Sequence, residues 1–218
     1  MKIEISNLTK TIKGVTVLDN INLNLKGGTC YGIEGKNGSG KTMLMRAICG
    51  LIKPTTGIIN FNGKILGKDI SFPPSIGVLI ENPAFIPEYS AFKNLKVLAS
   101  INNKITDQDI ISVLKSVGLD PYEKKVYKKF SLGMKQKLGI ANAVMEKPDI
   151  VLLDEPINAI DEKGVESIRK IIDNLKANGS VVIVACHDKE ELENLSDEIY
   201  TIFAGSIIGH RSLRSKDE

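Results

Sequence analysis

The stretch Gly35-Lys36-Asn37-Gly38-Ser39-Gly40-Lys41-Thr42 constrains this chain more than any other. It fits G-x-x-x-x-G-K-[ST], and its flanks have the character that the motif requires. Residues Thr29 to Ile33 read as a buried strand opening into the loop. Residues Lys41 to Cys49 read as a helix with Leu44, Ala47 and Ile48 on one face. Glycines let such a loop fold tightly, so that successive backbone N–H groups converge on phosphate oxygens. The following helix adds the positive end of its dipole. Lys41 can reach the β- and γ-phosphates, and Thr42 offers a hydroxyl to Mg²⁺. Gly35, Lys36, Asn37, Gly38, Ser39, Gly40, Lys41 and Thr42 are therefore candidate residues for binding a nucleoside triphosphate.

The flanking pattern predicts an α/β core. In the first sixty residues Ile3 and Ile5 alternate with Glu4 and Ser6. Ile21, Leu23 and Leu25 alternate with Asn20, Asn22 and Asn24. Turns at Lys13-Gly14 and Gly27-Gly28 separate these strands. From about Ser90 to Met145 the pattern is helical, with breaks at Gly118 to Pro121 and near Ser131. Strands return at Ile150 to Leu153 and Val181 to Ala185, on either side of a helix from about Glu162 to Ala177. A hairpin closes the pattern, with Ile199 to Phe203 and Ile207-Ile208 around Ala204-Gly205.

Composition excludes several function classes. A formal net charge of +3 over 218 residues is too small to imply a nucleic-acid partner. The basic run Lys124, Lys125, Lys128, Lys129 and the tail Arg211, Arg214, Lys216 read as solvated faces, with a site near acidic lipid as the alternative. Cys30, Cys49 and Cys186 are odd in number and lack a CxxC spacing, which favours a reducing compartment over a disulfide framework. The segment MKIEISNLTK has no continuous apolar run of the signal-peptide kind. Apolar stretches such as Val181 to Cys186 fall far short of a membrane span. A cytoplasmic location is the expectation.

Three further strand ends are candidates for chemistry. Ile150 to Leu153 is an apolar strand ending on Asp154-Glu155. With a phosphate loop in the chain, Asp154 is the candidate Mg²⁺ holder and Glu155 the candidate general base for an attacking water. His187 follows the strand Val181 to Cys186. Ligands of a parallel sheet sit at the carboxyl ends of its strands, so His187 is a candidate for orienting the γ-phosphate or that water. Glu81 ends the apolar run Ile76, Val78, Leu79, Ile80, just before the break at Asn82-Pro83. By itself it reads as a solvated loop acid.

The stretch Phe130-Ser131-Leu132-Gly133-Met134-Lys135-Gln136-Lys137 resembles the LSGGQ-type signature of ABC ATPases, the nucleotide-binding subunits of ABC transporters. Ser131 and Gly133 match, and Leu132 and Met134 replace a usual Gly and Gln. The order of phosphate loop, signature, paired acids and His187 spans almost the whole chain. The resemblance implies one ABC ATPase domain over residues 1–218: a P-loop NTPase core, an N-terminal antiparallel β subdomain and a helical subdomain inserted at about 85–145. It implies a head-to-tail, ATP-dependent homodimer, or a pair with a similar ATPase. Each ATP would lie between Gly35–Thr42 of one copy and Ser131 and Gly133 of the other. Asp161 matches the aspartate of the D-loop, Pro156 to Asp161, where Ala159 and Ile160 replace a commoner Gly and Leu. Ile12 stands where the family has an aromatic residue against adenine, and an aliphatic face lacks the π-system. Glu81 stands at the place of the Q-loop glutamine near Mg²⁺. A carboxylate is a good hard ligand, yet its charge beside Asp154 and Glu155 should weaken the site when metal is absent.

Leu79-Ile80-Glu81-Asn82-Pro83, with Ser131 to Gln136, looks like the bacitracin- and lantibiotic-resistance branch of ABC exporters, whose ATPases work with separate permease chains. The expected role is therefore the ATP-hydrolysing subunit of a multi-component exporter, held at the inner face of a membrane by its permease. The competing class is a non-transport ABC ATPase acting on ribosomes, DNA or a cofactor scaffold. Ribosome-acting members generally carry two cassettes and DNA-repair members a long coiled coil, and this sequence shows neither. A P-loop small-molecule kinase would leave the segment around Ser131 without a purpose.

Overall fold

The computed structural model describes residues 1–81 and 83–213, so that Asn82, Arg214 and Lys216 of the readings above lie outside the described residues. The elements run β1 (Lys2–Ile12), β2 (Val15–Lys26), β3 (Thr29–Glu34), α1 (Lys41–Ile48), β4 (Thr56–Phe61), β5 (Lys64–Ile65) and β6 (Ile76–Leu79). They continue with α2 (Ala91–Asn102), α3 (Asp107–Ser116), a single 3₁₀ turn at Tyr127–Lys129, α4 (Leu132–Val144), β7 (Ile150–Asp154) and α5 (Glu162–Ala177). Last come β8 (Val181–Cys186), α6 (Lys189–Leu195), β9 (Glu198–Phe203) and β10 (Ser206–Ser212).

Two sheets organise these elements. The larger has the order β10-β9-β3-β8-β7-β6, with β9, β3, β8, β7 and β6 parallel to their neighbours and β10 antiparallel at one edge. β7 and β8 are buried along their whole length, which is why they read as unbroken apolar runs. Their side chains alternate between two cores. Val151, Leu153, Val182 and Val184 join the core built with the helices α2 to α6. Ile150, Leu152, Val181 and Ile183 join the core that contains Ile3, Ile5, Leu44 and Ile48. The smaller sheet, order β2-β1-β4-β5, is antiparallel and lies over the second core.

The expected antiparallel subdomain is present, but it is completed by β4 and β5, which the alternation in β1 and β2 did not announce. The helical insertion is also present between β6 and β7. Its last helix, α4, is seated directly on β6 through two glycines. A Cβ on Gly77 would meet the carbonyl oxygen of Ala143 at 1.7 Å, and a Cβ on Gly139 would meet Leu79 Cδ1 at 2.7 Å. Because α4 touches the sheet this closely, its first turn is held in register with the strand ends where the candidate residues gather. Among the described residues, no helix is long and apolar enough to cross a membrane.

Candidate nucleotide site

The phosphate loop leaves β3 and enters α1 as the sequence requires. Gly38 and Gly40 have φ of 79° and 113°, the left-handed region in which a side chain would be strained. Gly35 is constrained by space: a Cβ there would lie 2.5 Å from the carbonyl oxygen of Ile202 and from Ser39 Oγ. Lys41 is buried, and its Nζ donates to the carbonyls of Gly35 (2.6 Å) and Lys36 (3.2 Å). The ammonium is thus folded back over its own loop. Ser39 Oγ is also buried, with no hydrogen-bond partner among the described residues. A buried hydroxyl left unpaired costs free energy, and a phosphate oxygen above the loop would satisfy it.

The carboxyl ends of the parallel strands supply the acids. Thr42 Oγ1 donates to Asp154 Oδ2 at 2.6 Å, so the first turn of α1 and the end of β7 share one polar contact. Asp154 is buried, and its pKa is raised, chiefly by that burial and further by the charges of Glu155 and Glu81, against the lowering effects of Thr42 and Lys41. A hard divalent cation fits this pair: it would supply the positive charge that the buried carboxylate lacks, and the donors are oxygens.

Glu155 turns out of the strand at φ 50°, a left-handed conformation that an ordinary residue adopts at a cost of about 1–3 kcal/mol. Two bonds enforce it. The Glu155 N–H donates to Ala185 O at 2.8 Å, and Gln136 Nε2 on α4 donates to Glu155 O at 2.7 Å. The turn brings the Glu155 carboxylate to His187, with Oε2 and Nδ1 2.8 Å apart. A carboxylate and an imidazole so placed can hold a water and take its proton.

Glu81 also has a left-handed backbone, φ 59°, and it lines the same cavity of about 710 Å³ as Gly40, Thr42, Asp154 and Glu155. Its carboxylate, however, is paired with Arg46 on α1 at 2.7 Å. Arg46 lies one turn beyond Thr42, on the same side of α1. The extra negative charge expected at this position therefore has a local counter-ion, which offsets its repulsion of Asp154. Glu81→Gln is expected to raise the Mg²⁺ concentration at half-maximal ATP hydrolysis by about fivefold, the scale of one partly exposed charge interaction. A Mg²⁺ titration and rate identical to those of the unaltered chain would reduce Glu81 to a partner of Arg46.

The remaining candidates are further out. Ser131 is exposed and caps α4, accepting from the Met134 N–H at 3.2 Å. Gly133 lies in the first turn of α4, where a Cβ would come 2.5 Å from Ala159 O. Asp161 occupies the N-cap position of α5 without a side-chain capping bond, and it accepts from Lys137 Nζ at 3.0 Å, a bond that also lowers its pKa. Ala159 has φ 60°, which accounts for a glycine being commoner there. Ile12 pairs with Val15 across the β1–β2 turn, and the cavity wall beside it is made by Val15, Thr16 and Val17.

Residues 18–158 match the family described as ABC transporter. The chain belongs to the ABC transporter family. This cassette is 53% identical over 195 residues to the uncharacterized ABC transporter ATP-binding protein YybJ of Bacillus subtilis (strain 168), with 89% of each chain covered. It is 37% identical over 207 residues to the lantibiotic transport ATP-binding protein SrtF of Streptococcus pyogenes, covering 94% of this chain and 89% of that one. It is 36% identical over 208 residues to the bacitracin transport ATP-binding protein BcrA of Enterococcus faecalis, covering 94% and 68%. Among solved structures it superposes on a dimeric post-hydrolysis state of the ATP-binding cassette MJ0796 bound to ADP and Pi, with a TM-score of 0.88, 25% identity and coverage of 98% and 99%. Binding and hydrolysis of ATP coupled to transport is the activity of this ABC cassette.

The cassette contains further candidate positions that its sequence alone did not single out. Gln136 was visible only as part of the signature segment, yet it is buried and holds the backbone of Glu155. Arg46 lay in an ordinary amphipathic helix until Glu81 appeared beside it. Val15, Thr16 and Val17 line the cavity next to the turn that carries Ile12. No local signal marks any of these, because each acquires its role from a contact distant in the chain.

Proposed function

We propose that this cassette is the ATP-hydrolysing subunit of a multi-component exporter that protects a cell from peptide antibiotics, acting through a separate permease. The observation that carries the coupling is Glu81. It lines both the nucleotide cavity and a second, apolar groove of about 430 Å³ formed by Leu51, Ile52, Ile80, Pro83, Phe85 and Leu98 among others. An apolar groove that shares a residue with the nucleotide site suits a permease segment whose seating must respond to ATP. The similarity to SrtF and BcrA supports peptide antibiotics as the substrate class. Attachment to the permease would hold a cytoplasmic chain at the membrane's inner face.

In this reading the backbone N–H groups of Gly35 to Lys41 wrap the phosphates of ATP, and Ser39 Oγ gains its partner. Lys41 exchanges its loop carbonyls for the β- and γ-phosphates. Thr42, Asp154 and Glu81 would hold Mg²⁺, which supplies positive charge to the phosphate oxygens when bound. Glu155 takes the proton of the attacking water, and His187 orients the carboxylate and the γ-phosphate. Ser131, Gly133 and Asp161 of a second copy close over the γ-phosphate. The capped start of α4 then serves as a second helix N-terminus for an anion. Loss of the γ-phosphate removes the charge that joins the copies, and the groove follows that opening.

Isolation of the tagged chain from gently solubilised membranes tests this reading. A polytopic permease is expected to co-purify with it in fixed ratio. Recovery with ribosomes and no membrane partner would overturn it in favour of the non-transport class.

A further inference from the structure

Cys186, His187 and Glu155 form a group that the hydrolytic reading does not use as a whole. The Cys186 Sγ, a ring nitrogen of His187 and a carboxylate oxygen of Glu155 all lie within 4.8 Å of one another, the one such metal-type cluster among the described residues. The sequence presents three scattered thiols. Folding places one of them, at the end of β8, against the left-handed turn at the end of β7, because Glu155 N–H bonds to Ala185 O. His187 is the next residue, and its side chain is 58% exposed, so the cluster opens to solvent on the imidazole side.

We propose that Glu155, Cys186 and His187 are an inhibitory binding site for a thiophilic divalent cation, with Zn²⁺ the representative ion. Thiolate, imidazole and carboxylate are the donors that Zn²⁺ takes in tetrahedral sites, here with the fourth position left to solvent. Tetrahedral Zn²⁺ needs donors about 3.3 to 3.8 Å apart, given its bond lengths of about 2.0 to 2.3 Å. All donor pairs lie within 4.8 Å, and the Nδ1–Oε2 pair at 2.8 Å would open by side-chain rotation to admit the ion. The Cys186 thiol releases its proton to solvent as the ion binds. Mg²⁺ does not compete, because it prefers oxygen donors in near-octahedral array. Thr42 and Asp154 offer such oxygens. Once bound, the cation ties the Glu155 carboxylate and the His187 ring to itself. Neither can then serve a water, while the phosphate loop still accepts ATP. Binding rests on the geometry alone, and the inhibition rests on the roles proposed above for Glu155 and His187.

Two measurements on the full chain separate these claims. Co²⁺ added to the nucleotide-free protein without Mg²⁺ is expected to give a thiolate-to-cobalt charge-transfer band saturating at one ion per chain and erased by Zn²⁺. Cys186→Ser and Cys186→Ala should abolish that band. Cys30→Ser should retain it. In Mg²⁺-ATP with buffered free Zn²⁺, turnover should fall and recover on chelation. Cys186→Ser should keep its basal rate and need at least about tenfold more Zn²⁺. Absence of the band at saturating Co²⁺, or its persistence in Cys186→Ser, overturns the site. A Cys186-dependent band without inhibition upholds the site and overturns the hydrolytic roles of Glu155 and His187.

Discussion

Glu155→Gln is expected to leave ATP binding intact, lower turnover by about 10²- to 10⁴-fold, and yield a dimer that forms only with ATP. The substitution keeps the size of the side chain and the contact with His187 Nδ1, because an amide can donate or accept there. It also leaves both main-chain bonds that hold the left-handed turn, those to Ala185 and Gln136. What disappears is the proton acceptor. The phosphate loop, on another strand, is untouched, so equilibrium binding of a fluorescent ATP analogue should match the unaltered chain. With hydrolysis blocked, ATP stays between the copies and the dimer persists on size-exclusion chromatography. Adding Ser131→Ala should lower the dimer fraction without weakening ATP binding to the monomer, since Ser131 would act on the partner copy's nucleotide. Turnover at the unaltered rate in Glu155→Gln would remove Glu155 as the base.

The parts of this site that were legible in the sequence are those whose chemistry is local. The phosphate loop works through consecutive backbone N–H groups, so eight adjacent letters specify it. β7 and β8 are legible because burial on both faces demands an unbroken apolar run. α5 carries enough turns for its periodicity to show, and Glu162 to Ala177 is the span the pattern predicts. α6 has only seven residues with Leu192 and Leu195 buried, too few to establish a period. β5 is two residues long and exists because β4 offers it an edge. The Glu81–Arg46 pair, the Gln136 bond to Glu155 and the meeting of Cys186 with Glu155 join residues from separate elements. Their side chains are ordinary for their own elements. The packing of α1 and α4 against the strand ends, and the pairing of β7 with β8, give them partners.

Gly77→Ala is expected to be the most destabilising of these changes, and it tests that packing directly. Gly77 lies in β6, paired with Val151 of β7, and the Cβ it lacks would sit 1.7 Å from Ala143 O on α4. Ordinary contact requires roughly twice that separation. The obstacle is a main-chain carbonyl in a hydrogen-bonded helix, so no side-chain rotation can relieve it. Either β6 leaves β7 or α4 lifts by more than an ångström, and both open the core around Leu79 and Leu138. Overpacking costs typically 1–3 kcal/mol and more where backbone must move, so a loss of at least about 3 kcal/mol is expected. For a domain of this size that lowers Tm by about 6–12 °C. Gly209→Ala is the control: a Cβ there meets only Thr201 at 3.7 Å, and its Tm should stay within about 2 °C. An unchanged Tm for Gly77→Ala would mean that the helix is not held at this distance. Turnover should fall with stability even at temperatures where the variant stays folded. Gln136 and Ser131 ride on the same helix as Ala143, and lifting α4 withdraws Gln136 from the Glu155 carbonyl. The strained turn of Glu155 would then lose one of its two restraints, and the carboxylate would drift from His187.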